Sequence, residues 1–172
     1  SEGQVLRSAE PHFAGDTALK WTSYTYDLFG RLLTTTDPDN KVGKVFYGSL
    51  RTTYINALGQ RKIEDVGLQG KPVRVTEAAG TAQQATNQYT YDALGRVLTA
   101  TDAAGNVRQY TYDLMGNKLT DKDPNQGTWS YVYDSAGRLI SQTDAKGQTS
   151  QISYDVLGRV VSRQAPDFNS QW

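Results

Sequence analysis

The motif Tyr-Asp-x-x-Gly recurs at a fixed interval of 21 residues, at Tyr91-Asp92-Ala93-Leu94-Gly95-Arg96, Tyr112-Asp113-Leu114-Met115-Gly116-Asn117, Tyr133-Asp134-Ser135-Ala136-Gly137-Arg138 and Tyr154-Asp155-Val156-Leu157-Gly158-Arg159. So short and regular a period restricts the chain to a repeat architecture, in which each unit covers its faces with its neighbours instead of building a core of its own. A further copy stands upstream at Tyr26-Asp27-Leu28-Phe29-Gly30-Arg31, and a degraded one is expected at Tyr54-Ile55-Asn56-Ala57-Leu58-Gly59-Gln60. Their spacing, 28 residues from Tyr26 to Tyr54 and 37 from Tyr54 to Tyr91, indicates insertions in the front half.

A second turn signal lies half a period away, in Thr101-Asp102-Ala103-Ala104-Gly105-Asn106, Asp123-Pro124-Asn125-Gln126-Gly127 and Thr143-Asp144-Ala145-Lys146-Gly147-Gln148. Each repeat is therefore two strands and two turns. Between turns the side chains alternate: Arg108, Tyr110 and Tyr112 share one face, as do Trp129, Tyr131 and Tyr133, against Thr, Ser, Gln and Val on the other. Aromatic and β-branched residues favour strands, and no segment sustains a helical period. The fold class is all-β, built of antiparallel hairpins, and six motif-bearing units predict about twelve strands.

Turn chemistry accounts for the motif letters. An Asp entering a turn accepts backbone N–H groups, and the Gly three residues later supplies the positive φ that closes a short hairpin loop. The next residue, Arg96, Arg138 or Arg159, is placed to pair with its Asp or to lie over a Tyr ring, while Asp113 faces Asn117.

Composition excludes several function classes. Eighteen Lys and Arg balance eighteen Asp and Glu, so there is no basic field for nucleic acid. The absence of Cys removes disulfides and thiolate chemistry, and the longest aliphatic runs fall far short of a membrane-spanning helix. The turn carboxylates Asp102, Asp123 and Asp144 read as turn caps before they read as calcium ligands, since no Asp-rich loop accompanies them. His12 stands in an unrepeated leader with no Gly-x-Ser-x-Gly context, and no repeat offers a distinctive acid pair, so no catalytic residue, cofactor or metal is expected. Trp21 and Trp129 keep open a second class, an extracellular module that recognises glycans or a receptor through aromatics.

These motifs resemble the tyrosine-aspartate (YD) repeats of the Rhs family, whose members include bacterial polymorphic toxins and the B and C components of insecticidal toxin complexes; animal teneurins carry related repeats. The resemblance covers residues 21–166, irregular over 41–81 and regular over 89–163, with 1–20 as a weakly structured leader or linker and 167–172 as a tail. It implies a curved sheet, a segment of a spiralling β-shell that in relatives encloses a C-terminal toxin domain. It also implies a secreted or cell-surface bacterial setting, further repeats and a toxin domain as partners, and no enzymatic role. The chain departs from the full family pattern: Asp37-Pro38-Asp39-Asn40, Asp123-Pro124-Asn125 and Pro166-Asp167 do not match the signatures of the Rhs-associated core, and only a few residues follow Arg163. Twelve strands cover on the order of 1,200 Å², against about 5,000 Å² for a shell around a 100-residue cargo. The piece is thus expected to be a strip of wall, with edges open to more repeats or to another copy.

Overall fold

Short alternating runs closed by Asp and Gly loops leave the chain one simple solution, a meander in which each strand pairs with the one before it. The computed structural model describes residues 3–11 and 19–165; within them there are fifteen strands and no helix, and hydrogen-bonded neighbours follow chain order without a crossover. The sheet is open and antiparallel, as the sequence pattern predicts. His12 lies outside the described residues, as do Pro166, Asp167 and the tail that follows them.

The chain divides into two units, Ser1–Gln88 and Tyr89–Trp172. The first holds β1 (Arg7–Ala9), β2 (Trp21–Tyr26), β3 (Leu32–Thr36), β4 (Val42–Tyr47), β5 (Arg51–Ile55), β6 (Arg61–Val66) and β7 (Pro72–Glu77). It also holds the first part of β8 (Ala85–Tyr91), which pairs with β7 from Glu77↔Ala85 to Arg74↔Gln88. The second holds the end of β8, then β9 (Val97–Thr101), β10 (Val107–Tyr112), β11 (Lys118–Asp123), β12 (Gly127–Tyr133), β13 (Leu139–Thr143), β14 (Thr149–Tyr154) and β15 (Val160–Gln164).

The strands beyond the expected twelve are β1, β4 and β7. β1 comes from the leader, where Arg7–Ala9 pairs with Trp21–Ser23. The other two arise because the repeat runs through the irregular stretch in a different phase. Loops of a meander fall alternately at the two ends of its strands. In the first unit the Tyr-Asp loop of β2–β3 shares an end with the β4–β5 and β6–β7 loops, whereas the degraded copy at Tyr54–Gln60 forms the β5–β6 loop at the other end. The expected copy is thus a hairpin loop of similar chemistry at the end opposite the Tyr-Asp loop of β2–β3. The residue in phase is Tyr47, 21 positions after Tyr26.

An odd repeat length raises a question of faces. With strict alternation, residues 21 apart would point to opposite sides of the sheet. A one-residue bulge in each Tyr-Asp hairpin resets the alternation: Thr111 faces Thr120 but Tyr112 faces Lys118, which leaves Leu119 unmatched. The same slip recurs beside Tyr26, Tyr133 and Tyr154, leaving Leu33, Ile140 and Val161 unmatched. Tyrosines one repeat apart therefore share a face.

That face is the better covered one. In β2, β10 and β14 half-buried and exposed residues alternate, with Tyr24, Tyr26, Tyr110, Tyr112 and Tyr154 on the half-buried side. The opposite face carries hydroxyl pairs that share a hydrogen bond across strands: Thr25 with Thr34 at 2.7 Å, Thr90 with Thr99 at 2.7 Å and Thr111 with Thr120 at 2.6 Å. Among the described residues Ala79 is the one buried apolar side chain. Within each unit the strands form a single layer, held by its ladder and by contacts between neighbouring strands.

Candidate functional site

The repeated feature that could carry a function is the Tyr-Asp loop, and its geometry follows from its five residues. At Asp92 the backbone N–H donates to the Arg96 carbonyl at 2.9 Å and the Gly95 N–H to the Asp92 carbonyl at 3.0 Å, closing a tight turn. Gly95 takes φ +76°, a conformation that costs an L side chain energy and glycine nothing. Asp92 Oδ1 accepts the N–H groups of Leu94 and Arg96, both at 2.9 Å, and Oδ2 accepts Arg96 Nε at 2.6 Å. Asp27 with Gly30 and Arg31, Asp134 with Gly137 and Arg138, and Asp155 with Gly158 and Arg159 repeat the arrangement. In the remaining copy Gly116 takes φ +94° and the Asn117 amide donates to Asp113 at 2.9 Å.

Each loop also grips the next. Arg96 donates through Nη1 to the Asp113 carbonyl at 2.8 Å and lies 4.8 Å over the Tyr112 ring, while Tyr112 donates its hydroxyl back to the Val97 carbonyl at 3.0 Å. Arg138 does the same with Tyr154, at 4.9 Å, and Tyr154 donates to Leu139 at 2.9 Å. Where Asn117 replaces the arginine, Lys118 takes the stacking role over Tyr131 at 5.1 Å, and its carbonyl accepts the Tyr133 hydroxyl at 3.0 Å. In the first unit Arg31 lies 4.3 Å over Tyr47, whose hydroxyl reaches the Leu32 carbonyl at 3.0 Å. The motif arginine thus both pairs with its own Asp and stacks on the tyrosine of the following repeat.

A second cluster lies on the tyrosine face and belongs to no motif letter. Asp121, only 4% exposed, accepts Arg108 through Nε at 2.7 Å and Nη2 at 2.9 Å, and Lys118 Nζ at 2.7 Å. Arg108 and Lys118 both stand over the Tyr110 ring. The first unit has a looser counterpart, in which Asp65 pairs with Arg51 at 2.6 Å and with Arg74 at 3.7 Å. The sequence reading missed both carboxylates, because each sits in a strand of polar residues with no spacing signal of its own. Tyr47 could have been found, since it keeps the 21-residue phase.

A profile for the RHS Repeat matches residues 2–42, 68–107, 91–128, 118–149 and 133–167, well over half of the chain. The chain belongs to the Rhs repeat family. Solved structures share the fold of this Rhs repeat segment. A TcdB2-TccC3-Cdc42 crystal structure superposes with a TM-score of 0.83 at 17% identity, covering 98% of this chain and 10% of the other. TcdB2-TccC3 without its hypervariable C-terminal region gives 0.81 at 17%, with coverage of 98% and 10%. The Photorhabdus luminescens Tc holotoxin pore gives 0.79 at 18%, with coverage of 96% and 10%. The segment therefore spans about a tenth of the length of the solved chains it resembles. No curated protein matches it in sequence.

The residues weighed for other chemistry are occupied by the Rhs fold itself. Asp102 Oδ1 accepts two backbone N–H groups at 2.9 Å, and Asp123 and Asp144 each accept two more. Among the described residues no group of three or more acidic or His side chains could hold a metal ion. Trp21 carries Arg7 over its ring at 4.4 Å, and Trp129 is half-buried opposite Asp121.

The paired carboxylates of the Rhs repeats share one electrostatic signature. The Arg108 side chain holds Asp121 below the usual carboxylate range against the opposing effect of burial, with Lys118 adding to the fall. Hydrogen bonds from the backbone of the following arginine do the same for Asp92, Asp134 and Asp155, and the Asn106 and Asn117 amides do so for Asp102 and Asp113. A carboxyl depressed in the folded state stabilises fully above its unfolded value and stops doing so as pH falls through its folded value. Stability should therefore hold at neutral pH and fall below about pH 4 as these groups protonate. A urea midpoint followed by far-UV circular dichroism should decline in that window, and one that stays constant from about pH 6 to about pH 2 would count against the paired carboxylates.

Proposed function

We propose that this Rhs repeat segment is a strip of wall in a shell that encloses and sequesters a toxin or effector domain of its parent protein, outside the producing cell or at its surface. The role is steric and non-enzymatic. The observation that carries it is the latched single layer: a sheet that extends by one hairpin at a time, with each loop gripping the next and with no core to limit its length. Such a sheet makes a wall and has no means of closing on a small volume by itself. Fifteen strands cover on the order of 1,400 Å², well under the ~5,000 Å² a cargo of 100 residues requires. Further repeats of the parent chain must supply the rest. β15 is exposed along its length, and Arg159, 74% exposed, holds Asp155 in the geometry that Arg96 and Arg138 use to receive the next tyrosine. The motif residues have structural roles here: the tyrosines for packing between hairpins, Asp and Gly for loop geometry, and the arginines for gripping the neighbouring repeat. The fold shared with toxin assemblies and the membership in the Rhs repeat family support this reading.

The test is limited proteolysis of the native parent protein with intact-mass analysis. The expected result is a chain several times longer that continues into more repeats, with a terminal domain resistant to protease until the shell is opened by acid or denaturant. A parent chain that ends near Trp172, or a terminal domain cut as fast as an isolated one, would sink the proposal.

A further inference from the structure

The tyrosine ladder is interrupted in the first unit, and a cleft opens at the interruption. Strands β2, β8, β10 and β12 carry a second tyrosine two residues before the one that ends them, Tyr24, Tyr89, Tyr110 and Tyr131. In β4 that place, two before Tyr47, falls to Val45. In β6 it falls to Glu64: the Gly67 N–H donates to the Lys71 carbonyl and the Gly70 N–H to the Gly67 carbonyl, in the pattern of Asp92, Gly95 and Arg96, which puts Val66 where the terminal tyrosine stands elsewhere. Between these two strands β5 raises Tyr54, opposite Val45 on one side and Lys62 on the other. A cleft of about 580 Å³ lies beside this ring, lined by Tyr54, Asn56, Gln60, Lys62, Glu64 and Glu77. That volume is within the range of ligand sites.

Elsewhere in the chain such rings are covered by cations that a carboxylate holds. Arg31 lies 4.3 Å over Tyr47, Arg96 4.8 Å over Tyr112 and Arg138 4.9 Å over Tyr154, while Asp27, Asp92 and Asp134 hold the three arginines at 2.7, 2.6 and 2.7 Å. Tyr54 is 37% exposed, and among the described residues no cation stands over its ring. Glu64 is half-buried nearby with no ion-pair partner among the described residues, because Lys62 turns to Glu77 at 3.2 Å. Burial, and after it the Glu64 charge, push the Tyr54 hydroxyl above its usual range, so the carboxylate is felt at the ring. Arg61 also borders the cleft, but it pairs with Ile55, and alternation turns its side chain to the other face. The cleft thus offers two carboxylates against one ammonium, together with an uncovered ring and two amides.

An occupant must be read by side chains alone, since β5 and β6 are each hydrogen-bonded on both sides and lend no backbone group to a bound strand. Further repeats join at a sheet edge, and neither strand is one. The excess of carboxylate disfavours an anion, and the charged lining does not suit an apolar group. A guanidinium meets both demands: its flat face stacks on a ring while its N–H fork pairs with a carboxylate, as three arginines of this chain already do. We infer that the Tyr54 cleft binds an arginine side chain of another polypeptide, stacked on the ring and paired with Glu64. The site belongs to the face of the first unit and stands or falls apart from the shell reading.

An NMR titration of the 172-residue chain with acetyl-arginine amide tests it. The expected result is a saturable shift of the Tyr54 and Glu64 resonances, with a Kd of about 1 to 10 mM. Acetyl-citrulline amide, which keeps the shape without the charge, should give no saturable shift. Acetyl-lysine amide should bind about threefold more weakly, since an ammonium has no flat face to stack. Tyr54→Leu and Glu64→Gln should each weaken the arginine probe about fivefold, whereas Asp39→Asn, which removes an exposed charge in the β3–β4 loop, should leave it unchanged. Glu64→Gln keeps the size of the side chain and the wild-type circular dichroism, so it decides the matter even if Tyr54→Leu unfolds the unit. An arginine probe that does not saturate overturns the inference. So does binding that Glu64→Gln and Asp39→Asn weaken equally, which would reduce it to overall charge, or binding that the citrulline probe matches, which would assign the cleft to an uncharged polar ligand.

Discussion

Replacing Asp121 with alanine is expected to destabilise the second unit by about 2 to 3 kcal/mol, which far-UV circular dichroism would record as a lower urea midpoint. The carboxylate is buried and accepts three charge-assisted hydrogen bonds, two from Arg108 and one from Lys118. Its removal strands two cations over the Tyr110 ring. Removing one partner of a fully buried pair costs about 3 to 5 kcal/mol, but Arg108 and Lys118 are part-exposed and can rehydrate, which lowers the figure. Asp121→Asn should fall between, since the amide keeps the shape and loses the charge. Asp65→Ala is the control. Its arginine partners are more than half exposed, and it should cost about 1 kcal/mol or less. Equal effects at Asp65 and Asp121 would show that burial is not what makes the second cluster strong.

That cluster also marks the limit of what could be read from the letters of the chain. The loops were legible because their chemistry is local: Asp92, Gly95 and Arg96 interact within one turn, so spacing along the sequence equals spacing in space. The strand faces were legible for the same reason, since alternation is a property of one strand. What joins one hairpin to the next was not. Asp121 is brought to Arg108 by the β10–β11 pairing and to Lys118 by the bulge at Leu119, which puts two residues three apart on one face. A bulge leaves no letter in the sequence, although the odd period of 21 implies that something must reset the alternation. The Tyr54 loop shows a related limit: Asn56 caps Leu58 and Gln60 as an aspartate would, and Gly59 takes φ +79°, but a motif specifies a turn and not the end of the sheet on which it falls. Phase decides that, and Tyr47 keeps the phase with Gly48 and Thr52 at the positions where the motif has its Asp and Arg. Because Tyr47 still receives Arg31, the grip between repeats survives where the loop motif has decayed.

The rims pack against themselves as well, and Gly127→Ala measures how tightly. Gly127 closes the β11–β12 loop at φ +80°, and a Cβ there would come 2.5 Å from Ala145 Cβ and 3.7 Å from its Cα, in the next loop along the same rim. Gly105 closes the preceding loop at φ +86° with nothing within 4 Å of an added Cβ. The two substitutions therefore share the backbone penalty and differ in the clash. Gly105→Ala should cost about 1 kcal/mol, from the left-handed conformation alone. Gly127→Ala should cost about 3 kcal/mol, because a backbone-anchored methyl group cannot turn aside and one loop must move. Chemical denaturation of both variants separates the terms. The double variant Gly127→Ala/Ala145→Gly removes the opposing methyl group and should return most of the difference, giving a coupling of about 2 kcal/mol between residues 18 apart in sequence. Equal losses at Gly105 and Gly127, with no coupling to Ala145, would mean that successive loops on this rim are independent. In that case the stiffness of the sheet would rest on the strand ladder and on the arginine grip of the opposite rim.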